Sequence, residues 1–218
     1  KQALLDRFRA DTYQAIEEGI SLNPVLHSFQ QVVRQYGIGR DLIDAFLDSM
    51  EMDLNRNVYD SRSYDQYIYG SAEVVGLMCL RVFVEGNDAE YERLKDSARR
   101  LGAAFQKINF LRDIKSDHEE RGRVYFPGVD FNRFTERDKK NIETDIKADF
   151  DAALVGIRQL PNGARLGVYL AYKYYLQLFA KIRRASACRV ASERFRVSDK
   201  RKMYLLFTST LRHSMNVL

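Results

Sequence analysis

Tryptophan is absent from this 218-residue chain, and proline, histidine and cysteine occur only three, three and two times. Three prolines and 12 glycines leave little for a loop-rich architecture. Cys79 and Cys188 each fall within helical pattern, so two buried thiols are expected rather than a disulfide, as suits a reducing cytoplasm. His27, His118 and His213 are too scattered to nominate a zinc site. No apolar run approaches the roughly 20 residues that span a bilayer, and Arg81 interrupts the best candidate, residues 74–84. No secretory signal is visible. The chain starts with Lys rather than Met and enters helical pattern at once, which reads as a fragment or a partly ordered chain.

What is present is 45% hydrophobic residues, enough for one sizeable domain spanning residues 1–218. Apolar residues recur at three- and four-residue steps almost throughout, and strand-like alternation is nowhere sustained, so the expected fold class is all-α. Helices are expected over residues 2–18, 24–36, 40–54, from a cap near Ser63 onward, and over 88–118, 136–160, 164–182 and 199–216. Asn23 with Pro24, and Thr135, supply start signals. Gly70, Ser71, Ala72 and Gly76 inside the fourth helix suit either close helix approach or a bend that opens space for a ligand. The net charge is +5, and much of the excess lies in residues 181–202, where basic residues far outnumber Glu193 and Asp199. That segment suits an anionic membrane surface, a pyrophosphate or, by default, solvent. No nucleic-acid module accompanies it, so no nucleic-acid partner is expected.

The most informative stretch is GAAFQKINFLRDIKSDHEERGRVYFP, residues 102–127. At about 100° per residue, Gln106, Asn109, Asp113 and Asp117 share one helix face, while Ala103, Ala104, Phe105, Ile108, Leu111 and Ile114 can pack the rest into a bundle. Two carboxylates a turn apart, with an amide a turn earlier, are hard oxygen donors suited to Mg²⁺ shared with a phosphorylated ligand. Arg112, Arg121 and Arg123 stand by to hold the remaining charge of that ligand. The competing reading is a solvated helix end, with Asp113, Asp117, Glu119 and Glu120 paired to Arg112, Lys115 and Arg121. Likewise Tyr67, and Tyr172, Tyr175 and Phe179 on one face of a later helix, are ordinary core aromatics unless a carbocation passes them, which a ring quadrupole would stabilise.

The string NFLRDIKSDHEERGRVYFP resembles the second aspartate-rich motif of the squalene/phytoene synthase family, and YDQYIYGSAEVVGLMCLRVF, residues 64–83, resembles its tyrosine-containing helix. Met52-Asp53-Leu54 is similar to a signature of bacterial phytoene synthases, which the chain resembles most throughout. The resemblance implies the isoprenoid synthase fold: a single helical bundle around a central apolar cavity with a metal-binding mouth. It implies an Mg²⁺-dependent prenyltransferase that joins two geranylgeranyl diphosphates head to head, through a cyclopropyl diphosphate, into phytoene for carotenoid biosynthesis. On that reading Asp113 and Asp117 hold metal. Gln106, Asn109, Arg112, Arg123 and Tyr125 bind the diphosphate, and Tyr67 and Tyr175 stand beside the reacting carbons. The implied partners are prenyl diphosphates, with peripheral membrane contact as an option for so apolar a product, and the implied location is cytoplasmic or membrane-associated.

One departure stands out. The family carries a first aspartate-rich motif upstream, and nothing here takes its place: Asp41 and Asp44 are spaced differently, and Asp48 falls where the family uses none. Half of the metal cage is therefore expected to be missing from this sequence, and the native protein to be longer or the fragment inactive. The alternatives are squalene or dehydrosqualene formation from farnesyl diphosphate, the former with NADPH, and a non-catalytic assembly protein on the same fold. Relatives of that last kind typically lose the aspartates and the tyrosine, which here remain.

Overall fold

Local punctuation sets the helix boundaries of the computed structural model, which describes residues 1–55 and 58–215, the side chains of 118–121, 132 and 213 excepted. Helix α1 (Gln2–Glu18) closes on Gly19 in the left-handed region. Asn23 caps α2 (Pro24–Tyr36) by accepting from the amides of Val25 and Leu26, and Pro24 occupies the first turn, where its missing N–H costs nothing. After α3 (Arg40–Asn55), helix α4 (Ser61–Ile68) begins earlier than expected. Its cap is Asp60 rather than Ser63: the Asp60 carboxylate accepts from the Ser63 amide at 2.7 Å and from its hydroxyl at 2.6 Å.

Before α5 (Val74–Phe83), the chain widens into a π-helical turn at Tyr69–Glu73. Backbone presses on it from two sides. A Cβ at Gly70 would stand 2.3 Å from the Ala45 carbonyl oxygen of α3, and one at Gly102 would stand 2.5 Å from that of Ala72. The small residues thus give both close approach and a local change of helix geometry.

The longest element, α6 (Asp88–Arg121), is followed by a short 3₁₀ turn (Phe131–Arg133) and α7 (Glu136–Ile157), whose Thr135 and Asp138 form a reciprocal capping box. Then come α8 (Asn162–Arg183), a short α9 (Ala187–Ser192) and α10 (Asp199–Ser214). The six residues of α9 are too few to show a helical period, which is why the sequence did not disclose it. The expected end of the last helix, Asn216, lies outside the described residues.

Helix α6 runs between two apolar cores. One joins α2, α3, α5 and the start of α6; the other joins α4, the rest of α6, α7, α8 and α9. Val168 of α8 touches both. A single parallel bridge, Val58 to Val124, ties the segment after α3 to the segment after α6 and carries Tyr59 and Tyr125 into the second core. Both cysteines are unbridged, but the expectation of burial fails: Cys79 and Cys188 are exposed. Cys79 faces a groove described below, and Ala187 and Val190 take the inward positions of α9 that Cys188 does not. Among the described residues no helix is long and apolar enough to cross a membrane.

Candidate active site

Helices α5 to α8 leave a cavity of about 630 Å³ between them. Its walls carry Ala72, Gly76, Ala98, Gly102, Gly156 and Gly167; at Gly76, Gly102 and Gly156 the missing side chain lets neighbouring helices touch, and at Gly167 it leaves open space. Polar groups gather where Gln106, Asn109 and Tyr175 join Ser71. The Gln106 amide donates to the Ser71 hydroxyl at 3.2 Å, and the Tyr175 hydroxyl donates to Asn109 Oδ1 at 3.2 Å. Phe105 stacks on the Tyr175 ring with centroids 3.9 Å apart. Three of the nominated residues therefore meet at an apolar hollow.

One turn beyond Asn109, the Asp113 carboxylate is held by its neighbour Arg112 and, at 2.8 Å, by Nε of Arg194. The bond to Asp113, against the cost of burial, raises the Arg112 guanidinium further above its ordinary value. Both arginines open onto a second cleft, lined also by Lys181, Arg184, Arg196 and Arg201. Arg194, on the connection between α9 and α10, was not singled out by the sequence. Its only signal was the basic run over 181–202.

Asp117 is buried, and its backbone carbonyl accepts from the Arg123 amide at 2.9 Å. Here the chain packs aromatics: Phe110 and Tyr125 stack at 3.9 Å, with Tyr59 and Tyr67 against them. Burial first, then the neighbouring Tyr125 and Asp53, pushes the Tyr67 phenol well above the ordinary tyrosine range, so it stays a neutral donor at neutral pH. It donates to Asp53 Oδ1 at 3.0 Å. Arg123 reaches the same oxygen at 2.9 Å, the Asp53 carbonyl at 2.7 Å and the Tyr125 hydroxyl at 3.2 Å. Tyr125 is raised by burial above all, while its bond to Arg123 works the other way.

The nominated residues thus fall into three neighbouring groups along α6: Gln106, Asn109 and Tyr175 at the cavity; Arg112 and Asp113 at the basic cleft; Asp117, Arg123, Tyr125 and Tyr67 in the aromatic cluster. Tyr67 is only 4% exposed and is not among the cavity's lining residues, although Ser71, one turn on, is. Arg121, Glu119 and Glu120 lie outside the described side chains. Asp44 and Asp48 are engaged elsewhere, by Arg9 at 3.3 and 2.6 Å, with the Tyr13 hydroxyl also on Asp44.

No group of three or more His, Cys, Asp or Glu side chains converges among the described residues, so there is no closed protein cage for a metal. The donor set still fits one Mg²⁺. That ion takes one or two carboxylates and keeps water and phosphate oxygens for the rest; Asp113 would supply one from the side of the basic cleft once Arg112 and Arg194 release it, and Asp117 a second from the aromatic side.

A family model described as squalene/phytoene synthase matches residues 1–201. The 15-cis-phytoene synthase of Paracoccus sp. (strain N81106 / MBIC 01143) is 29% identical over 199 residues, covering 84% of this chain and 63% of the relative. The presqualene diphosphate synthase of Rhodopseudomonas palustris is 33% identical over 108 residues, 48% of this chain and 36% of the relative. The chain thus spans less than two thirds of these curated relatives. Among solved structures, a dehydrosqualene synthase in complex with ligand superposes with a TM-score of 0.79 at 20% identity, over 99% of this chain and 80% of that one.

Proposed function

The chain belongs to the squalene/phytoene synthase family and has the all-α isoprenoid synthase fold, and from that premise we propose that it condenses two geranylgeranyl diphosphates head to head into phytoene, with Mg²⁺, in carotenoid biosynthesis. The observation that carries this reading is the row from Gln106 to Asp117, which starts at an apolar cavity of about 630 Å³, passes the arginine-bound Asp113 and ends at the buried Asp117.

The division of labour follows the chemistry. An allylic diphosphate needs its head neutralised and its tail kept from water. Asp113 and Asp117 would hold Mg²⁺, which supplies charge neutralisation of the leaving diphosphate. Arg112 and Arg194, now satisfied by Asp113, are placed to exchange that carboxylate for diphosphate oxygens, with Asn109 and Gln106 orienting the polar end. Loss of diphosphate leaves an allylic cation, which the double bond of the second substrate attacks, and loss of a proton closes the ring to a cyclopropyl diphosphate. A second ionisation, which releases the other diphosphate, rearrangement and loss of a second proton complete phytoene. The outer faces of the stacked Phe105 and Tyr175 offer the cation a quadrupole that does not react with it, and the apolar walls, once covered by the prenyl tails, give water few partners.

A second reading, condensation of farnesyl diphosphates to squalene or dehydrosqualene, draws on the presqualene diphosphate synthase relative. One experiment addresses both: supply the native-length protein with Mg²⁺ and each diphosphate, and identify the hydrocarbon formed. Phytoene from the C20 substrate is expected, and a C30 product alone would favour the second reading. Asp113→Ala should lower turnover by at least about a hundredfold with helicity by circular dichroism unchanged; retained turnover would remove the aspartate pair from the reaction.

A further inference from the structure

Asp53 closes α3 with little sequence emphasis beyond the Met-Asp-Leu run, yet two side chains from separate elements bond to it, and a third, Tyr125, is reached through one of them. We propose that Asp53 is a positioning residue: it aims the Tyr67 phenol and immobilises Arg123, and so fixes the aromatic face beside Asp117. This rests on the condensation reading given above.

The geometry is economical. One oxygen, Oδ1, accepts from Tyr67 at 3.0 Å and from Arg123 at 2.9 Å, and the carbonyl of the same residue accepts the other Arg123 nitrogen at 2.7 Å. Arg123 then donates onward to the Tyr125 hydroxyl at 3.2 Å. Tyr67 comes from α4, and Arg123 and Tyr125 come from the segment after α6, held against the α3 side by the Val58–Val124 bridge. Stacking among Tyr59, Tyr67, Phe110 and Tyr125 limits the rings to small excursions, so the direction of each hydroxyl is set by its hydrogen bond.

Two consequences separate this role from generic packing. Arg123 is matched one to one by Asp53 inside the protein, so it is not a first receiver of diphosphate; that part falls to Arg112 and Arg194, which share the single carboxylate of Asp113. The Tyr67 hydrogen is committed to Asp53, so what Tyr67 can turn towards a developing cation is its oxygen lone pair, with the Asp53 charge behind it. Charge matters here, not only shape. Asp53→Asn keeps the volume and a hydrogen-bond acceptor but removes the anion.

The test uses the native-length protein in two arms. In the first, with [13Cζ]-tyrosine labelling and Tyr67→Phe to identify the resonance, Asp53→Asn should shift the Tyr67 signal while leaving that of Tyr13 in place. An unmoved Tyr67 signal would overturn the contact. In the second, turnover of geranylgeranyl diphosphate by Asp53→Asn should fall about tenfold to a hundredfold in kcat, the loss expected for one hydrogen bond to a charged group. KM should stay level or fall, because a freed Arg123 adds a cation for the ground-state diphosphate. The double variant Asp53→Asn, Tyr67→Phe should be no slower than the worse single one, since the two act as a unit. Equal damage to kcat and KM, or additive losses, would overturn the positioning role. If the unaltered protein turns over neither diphosphate, the condensation reading fails, and the spectroscopic arm alone still decides whether Asp53 sets the state of Tyr67.

Discussion

The two stretches of α6 pose opposite packing problems. From Leu94 to Asn109 one face of the helix meets small residues of α5, α7 and α8 and borders a hollow. From Phe110 to Asp117 the helix meets stacked rings and ion pairs instead, with Arg112 alone turned to the basic cleft. A single helix can do both because its other face is clamped to α7: Lys107 is buried between Asp145 at 2.5 Å and Asp149 at 2.7 Å, and Arg100 reaches Asp149 at 2.9 Å. A cavity beside a helix removes contacts from that side, so the remaining side must hold the helix more firmly. The charged clamp adds to the apolar α6–α7 contacts on that side, among them Ile108, Ile146 and Phe150.

Breaking the clamp is the harshest way to test this. Lys107→Met leaves the fully buried Asp149 with Arg100 as its remaining cation and should cost about 3 kcal/mol, the low end of the penalty for removing one partner of a buried pair, as read by urea denaturation. The pH dependence has a definite sign. Burial lowers the Lys107 value, but the two aspartates outweigh it and leave the folded-state value raised. Its contribution is therefore complete below the unfolded lysine value of about 10.4 and is lost as pH rises through the folded value. An alkaline loss of stability present in the unaltered protein and missing from Lys107→Met would confirm the assignment. A cost under about 1 kcal/mol would mean that the clamp is an ordinary surface pair.

A smaller effect tests the walls. Gly102→Ala puts a methyl 2.5 Å from the Ala72 carbonyl oxygen, and because backbone rather than a movable side chain is in the way, the π-helical turn must shift. About 1–3 kcal/mol of destabilisation is expected, as for other overpacked sites. A neutral outcome would show that α5 and α6 slide freely and that the cavity is not rigidly framed.

What could be read from the sequence follows the range of the interactions involved. Caps such as Asn23 and Thr135 act within four residues, and the shared face of Gln106, Asn109, Asp113 and Asp117 follows from helix geometry alone. Both were therefore legible. Contacts made across the chain were not. Arg194 meets Asp113 from 81 positions away, and Arg123 meets Asp53 from 70 away, so their roles depend on how α9 and the loop after α6 come back onto the bundle. The start of α4 misled for a different reason: Asp60 and Ser63 are both good cap residues, and the side-chain bond between them decides the outcome. Cys79 looked buried because its neighbours in α5 are apolar, and only the unfilled groove exposes it.

The mildest substitution sharpens the contrast most, because it touches the rim of the hollow and no charged contact of the clamp. Gly167 of α8 borders the cavity, and a Cβ built there meets no atom within 4 Å. Gly167 is exposed at the cavity rim, so Gly167→Phe adds its ring there without a clash at Cβ, and since a phenylalanine is a better helix residue than glycine by a few tenths of a kcal/mol, the denaturation midpoint should stay level or rise slightly. If the prenyl tails lie in this hollow, the ring shortens it. Turnover of geranylgeranyl diphosphate should then fall relative to farnesyl diphosphate, with little change in the polar contacts at Asp113 that receive the head. The ratio of the two rates, measured at equal protein stability, is the readout. An unchanged ratio would place the tails outside this cavity and leave its small-residue walls without a part in the chemistry.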